Sequence, residues 1–354
     1  MDGLPCKHSC PDGSIFDGNG MRVCPICGKE NLPEGKYCSF CGRVLTTDGS
    51  RVVRSADEVA EYSRKDILNS IGLRWSTDRR ITPLWCTLSL LMIVPTAGLF
   101  LISILALLLR FNFGGGDFWN LYYGVGRNFF SALFGVLLGV LVYKLLSRLN
   151  AHIDREEGLR SAVMSYLMSS SRGRTADPET MKNLMSASAF DGQALTYEKK
   201  LSPGTWAWRI AAVFVLGSIL SAAEWAIMYY NDDAFASFGL FVVLAYGMYI
   251  IIFVGFIMLL SLASTLMKTM YTHEERWIGF VNSSGVALRN LGKNFEPSVD
   301  AGARKERSLV LYAVLTVVTF GLFGIYWLYI LIDDPNKHFE RQRVVEDALA
   351  KAVT

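Results

Sequence analysis

The sequence predicts a mostly α-helical, polytopic membrane bundle with a small cysteine-rich N-terminal module containing short β-structure. Three observations lead there. The 354 residues are 51% hydrophobic and only 19% charged, below the ~25% charge of a typical soluble domain. Long apolar runs alternate with polar connections. Six of the seven cysteines fall within the first 41 residues. The net charge of +3 argues against a nucleic-acid partner.

A recurring hexapeptide organises the chain. Asn150-Ala-His-Ile-Asp-Arg155 returns as Asn336-Lys-His-Phe-Glu-Arg341 and, more weakly, as Tyr271-Thr-His-Glu-Glu-Arg276. Three of the four histidines carry this pattern, and each copy follows an apolar run. An internal repeat of this kind implies three related units.

Residues 1–21 read as a tail with neither the basic nor the apolar region of a secretory signal. The thiols that follow are therefore expected in the reducing cytosol, where clustered cysteines favour metal over disulfides. Over 22–46, Cys24-Pro-Ile-Cys27-Gly28 and Cys38-Ser-Phe-Cys41-Gly42 form two hooks. Their four thiolates suit one closed, tetrahedral, structural zinc site. The segment resembles the short zinc ribbons that begin many prokaryotic membrane proteins. Cys6, His8 and Cys10 lack an evident fourth ligand, so a second zinc site there is not expected.

Residues 47–81 read as a linker and an amphipathic helix opened by a Ser55–Glu58 capping box. The first hairpin, 82–148, contains apolar runs at 83–109 and 128–146, each long enough for the ~20 residues of a span. Pro95 is expected to kink the first run. Gly114–Gly116 leads to an interfacial belt of Phe118, Trp119, Tyr122 and Tyr123. Ser131, Gly135 and Gly139 give the second run a small face, expected to pack within one subunit; homo-oligomerisation stays open. A helical insert covers 149–204. The second hairpin, 205–268, contains runs at 206–230 and 237–267, and a polar connection covers 269–307. The segment 308–354 reads as a short hydrophobic hairpin turning near Phe320–Gly324, then a C-terminal amphipathic helix. Gly321-x-x-Gly-Ile-Tyr-Trp-Leu-Tyr329 followed by Asn336-x-His338-Phe resembles the domain of unknown function 4234, a family of prokaryotic membrane domains. That resemblance implies no activity or ligand.

Residues 111–126 and 231–236 contain no Lys or Arg, whereas 149–204 and 269–307 are rich in both. The positive-inside rule then predicts a multi-pass plasma-membrane protein with both termini cytosolic. On a helix, the His and Arg of each motif share a face. His152, Arg155, His273, Arg276, His338 and Arg341 are thus expected to form a polar clasp between units; a proton or metal site on the three histidines is the sharper alternative. Glu224 is the notable charge within a span and the candidate for transport. His273-Glu274 lacks the second histidine of a zinc-protease signature, since residue 277 is Trp. With no phosphate loop, nucleophile elbow or other catalytic constellation, no enzyme is expected. The function expected is a membrane scaffold or adaptor that binds a cytosolic protein partner through its ribbon and helical inserts. The alternative is a small transporter or channel built on three hairpin units.

Overall fold

The computed structural model describes three short strands at 15–16, 22–23 and 30–31, and residues 55–89, 126–171, 177–198, 200–230, 234–296, 307–319 and 321–354. The four ribbon cysteines, Cys6, His8, Cys10, Pro95, the glycine loop and the aromatic belt lie outside the described residues. The strands β1 (Ile15–Phe16), β2 (Arg22–Val23) and β3 (Glu30–Asn31) pair antiparallel in sequence order.

The rest is mostly helical. Helix α1 (Ala56–Gly72) starts with a complete capping box, in which the Ser55 side chain accepts from the Glu58 amide and Glu58 returns the bond. It buries Ile67 and Ile71, each worth about 1.5–3 kcal/mol relative to exposure. A short α2 (Arg74–Thr77) and a 3₁₀ turn at Pro83–Ser89 lead towards the first hairpin. Then come α3 (Arg127–Ser171), α4 (Pro178–Tyr197), α5 (Pro203–Tyr230) and α6 (Ala234–Asn290). The chain closes with α7 (Leu309–Val318) and α8 (Leu322–Val353).

Among the described residues, three helices are long and apolar enough to cross a membrane: α3, α5 and α6. They cover the second, third and fourth expected runs; the first run lies outside the described residues beyond Ser89. Only 6% of the apolar window in α6 is buried. Its exposed Val243, Tyr246, Ile250 and Phe253 form the kind of apolar surface that water does not tolerate at this size.

Helix length places the site. The 45 residues of α3 and 57 of α6 extend ~67 and ~85 Å at 1.5 Å per residue. A hydrocarbon core is only ~30 Å thick, so the polar halves of both helices project beyond it. The helical insert therefore begins without a break in α3. At the C-terminus, α7 and α8 fold back on each other. Gly321 occupies the turn at φ 89°, a conformation that a side chain disfavours. Tyr312 packs against Phe323 and Trp327 across this turn, and Arg307 reaches Asp334 at 3.3 Å.

One core cluster joins α3, α5, α6 and the 3₁₀ turn in the apolar half. A second joins α1, α4 and the polar halves of α3, α6 and α8. A Cβ on Gly135 would collide with the Phe214 Cβ, and one on Gly139 would stand 2.8 Å from the Ala207 carbonyl oxygen. The small face of α3 is thus filled by α5. Gly135→Ala is expected to lower stability by about 1–3 kcal/mol through overpacking, read as a fall in thermal midpoint of the detergent-purified protein. An unchanged midpoint would show that the two helices separate freely.

Candidate functional site

The three motif helices meet where their apolar halves end. His152 on α3, His273 on α6 and His338 on α8 are 0%, 0% and 1% exposed. Their ring centroids lie 5.3, 5.4 and 5.1 Å apart in the three pairings.

Each ring is held from behind by a carboxylate that also binds an arginine of the same motif. His152 Nδ1 lies 2.9 Å from Asp78 Oδ1, and Arg155 donates to Asp78 Oδ2 at 2.8 Å. His273 Nδ1 lies 3.0 Å from Glu198 Oε1, to which Arg276 Nε donates at 3.1 Å. His338 Nδ1 stands 4.0 Å from Glu274 Oε1, to which Arg341 Nε donates at 3.0 Å. Residues i and i+3 share a helix face, so one carboxylate from another segment or helix can grip both. That is the physical reason for the His-x-x-Arg spacing.

A carboxylate on Nδ1 holds a proton there and turns Nε2 towards the centre of the cluster. The Nε2 atoms of His152 and His273 lie 3.3 Å apart. Glu156 Oε2 lies 3.5 Å from the first and 3.0 Å from the second. His338 Nε2 is buried with no hydrogen-bond partner among the described residues. One ligand atom from each of His152, Glu156, His273 and His338 lies within 4.8 Å of the others. Metal–nitrogen and metal–oxygen bonds of ~2.0–2.1 Å imply tetrahedral edges of about 3.3–3.4 Å. The separations of 3.3, 3.5 and 3.0 Å bracket those edges, and the His338 nitrogen lies within 4.8 Å of the other three atoms.

Charge at the site is strongly coupled. Burial alone would lower the His273 pKa, but the charge of Glu156 and hydrogen bonds to Glu156 and Glu198 raise it to about 9. For His338, burial and the neighbouring His273 and His152 outweigh the pull of Glu274 and lower it to about 4. Burial would raise the Glu156 pKa, yet His273 and Arg160 hold it well below the ordinary value. The site thus pairs an imidazolium at His273 with the Glu156 carboxylate and keeps His338 neutral; a metal on Nε2 of His273 would displace the proton there. Further out, Gln342 Nε2 donates to Glu156 at 3.2 Å, Arg155 Nη1 to Glu346 at 2.6 Å, and Arg160 Nε to Asp191 at 2.9 Å.

The motif's own acids are elsewhere. Asp154 and Glu340 face outward and pair with Lys200 and Arg80, while Glu275 is exposed. The acids that grip the histidines, Asp78, Glu198 and Glu274, were missed by the sequence reading, as were Glu156 and Glu346. A signal for two of them was present. Asp78-Arg-Arg-Ile-Thr-Pro83 and Glu198-Lys-Lys-Leu-Ser-Pro203 share acid, two bases, aliphatic, hydroxyl and proline. Each precedes an expected hairpin. Asparagines of the hexapeptides hold both segments: Asn336 Nδ2 donates to Ile81 O at 2.9 Å and Asn150 Nδ2 to Leu201 O at 2.8 Å. Glu156 was signalled by its place four residues after His152, one turn along the same face. Glu224 is half-buried on α5, 23 residues beyond Leu201 and so some ~35 Å along the helix from the level of the cluster.

Comparison with known proteins adds one match. The family described as Domain of unknown function (DUF4234) matches residues 307–353, which contain α7, α8, His338 and Arg341. No curated protein matches the chain, and no solved structure matches it.

Proposed function

We propose that this chain is a membrane scaffold whose hairpin units are locked together, on the cytosolic side, by a divalent transition metal on His152, Glu156, His273 and His338. The observation that carries this reading is the set of carboxylate-backed imidazoles around Glu156. Carboxylate–histidine–metal relays of this type orient a ligand and raise its basicity. Three nitrogens and one oxygen suit Zn²⁺ and other borderline first-row ions. Four protein ligands close the coordination sphere, which favours a structural over a catalytic ion.

In this reading the three units are repeats. Each motif helix places a buried residue seven positions after its histidine: Leu159, Phe280 and Val345. The third unit departs from the others, because Arg304 stands where Asp78 and Glu198 stand in the first two. Glu274 serves His338 instead, from α6. The bundle then presents α1, α4 and the zinc ribbon on one side of the membrane as a surface for a protein partner. The transport reading rests on Glu224, which lies far from this centre.

Metal analysis of detergent-purified full-length protein tests the proposal. Two metal equivalents per chain are expected, one on Cys24, Cys27, Cys38 and Cys41 and one at the histidines. His338→Ala and Glu156→Gln should each remove one equivalent, and Cys27→Ser should remove the other independently. Metal content unaffected by either histidine-site variant would overturn the proposal.

A further inference from the structure

The three-helix interior continues from the histidines towards the apolar layer. Leu149, Met270 and Pro335 stand three residues before the three histidines, and Leu145, Leu266 and Leu331 stand seven before. All six line one cavity of about 360 Å³, within the range of small-molecule sites. At 1.5 Å per residue, these two layers lie about 4.5 and 10.5 Å from the histidines. The cavity therefore straddles the ends of the apolar runs, at the level of lipid headgroups.

Its polar lining is biased towards cations. Arg148, Lys268 and Arg307 face it with the single carboxylate of Asp334, which Arg307 already engages at 3.3 Å. Arg148 is 7% exposed. Its Nη1 donates to Asn336 Oδ1 at 2.5 Å and to the Arg79 carbonyl at 3.3 Å, and it forms no ion pair among the described residues. Asp78 lends it a counter-charge from beyond ion-pair reach and the Phe339 ring lies 5.2 Å from it, but no carboxylate among the described residues touches it. Burying a guanidinium on these terms is costly, and an anion in the cavity would offset part of that cost. Arginine suits phosphate in particular, because its planar fork binds two oxygens at once. Ser308, the N-cap of α7, also lines the cavity. The apolar walls select among anions: an ion alone leaves them without a partner, whereas an acyl chain covers them.

From this charge and wall chemistry we propose that the cavity binds an anionic phospholipid, its phosphate on Arg148 and Arg307 and its upper chain against Leu309, Leu266 and Leu331. The site is separate from the metal centre and does not depend on metal being present there.

Native mass spectrometry of the full-length protein, released from detergent with phosphatidylglycerol or phosphatidylcholine, tests this. Wild type should retain phosphatidylglycerol about tenfold better, because both lipids offer a phosphate but the choline cation of phosphatidylcholine is repelled by Arg148, Lys268 and Arg307. Arg307→Gln should remove the preference, and Leu309→Trp should lower retention by filling the mouth. Both variants should keep the wild-type thermal midpoint in detergent, which shows that the bundle is intact. Equal retention of the two lipids, or an unchanged preference in both variants, would overturn the proposal. So would displacement of the lipid by millimolar inorganic phosphate, since the cavity would then be a simple anion site.

Discussion

His273→Ala should melt the bundle well below the wild type and make its melting insensitive to chelation at the junction. His273 faces two carboxylates, Glu156 at 3.0 Å and Glu198 at 3.0 Å, and all three groups are at most 2% exposed at the side chain. Removing the imidazole leaves both acids short of a cation. Loss of one partner from a buried pair costs about 3–5 kcal/mol. Arg160 and Arg276 remain as partial partners, which places the expectation at the lower end. The metal adds a second contribution, since any ion that binds only the folded state stabilises it by mass action. Thermal unfolding should be followed in detergent, with and without a chelator, in a Cys27→Ser background that removes the ribbon's contribution. Wild-type His273 should show a chelator-dependent fall in midpoint, and His273→Ala should show none. A variant midpoint close to wild type would mean that the cluster contributes nothing to the fold. A chelator effect that survives the substitution would move the ion elsewhere.

The sequence disclosed the histidines and arginines but not the acids that make sense of them. Three His-x-acid-Arg copies drew attention to Asp154, Glu275 and Glu340, because those residues recur. Recurrence reported something different: on α3 and α8 the acids lie on the outer face and pair with Lys200 and Arg80. The gripping carboxylates come from chain segments more than 70 residues before their histidines in two cases. Hydrophobic periodicity carries no information about such a pairing. The Asp78–Pro83 and Glu198–Pro203 segments do resemble each other, but a six-residue pattern of charge and proline reads as ordinary helix-start chemistry. The apolar runs were legible for the opposite reason. Burial in lipid is a property of a continuous stretch, so composition over ~20 residues is enough. What composition could not give was the continuity of α3 and α6 past the apolar layer. The sequence closes the first hairpin at residue 148 and opens a helical insert at 149, because the charged hexapeptide interrupts the apolar pattern. In the fold that hexapeptide is helical throughout, and its charges are satisfied sideways rather than by water.

The three motif arginines should differ in worth, and the difference tests whether the clasp is buried or superficial. Arg155→Ala is expected to cost about 3–5 kcal/mol, whereas Arg341→Ala should cost no more than about 1 kcal/mol. Arg155 is 1% exposed at its side chain and bridges Asp78 and Glu346; Arg341 is 41% exposed and binds Glu274 alone. Water can replace Arg341 but cannot reach the place of Arg155. Glu346 limits the loss, because burial already raises its pKa against the pull of Arg155. Without the arginine it can take up a proton rather than remain as a lone buried charge. Asp78 has no such ease, since His152 and Arg155 together hold its pKa down against burial. Arg155→Ala combined with Glu346→Gln should therefore recover part of the stability lost in Arg155→Ala alone, a coupling that a double-mutant cycle on thermal or denaturant unfolding would read directly. Equal small effects of Arg155→Ala and Arg341→Ala, with no coupling to Glu346, would mean that solvent enters the junction and that the carboxylates do not fix the histidines for a metal.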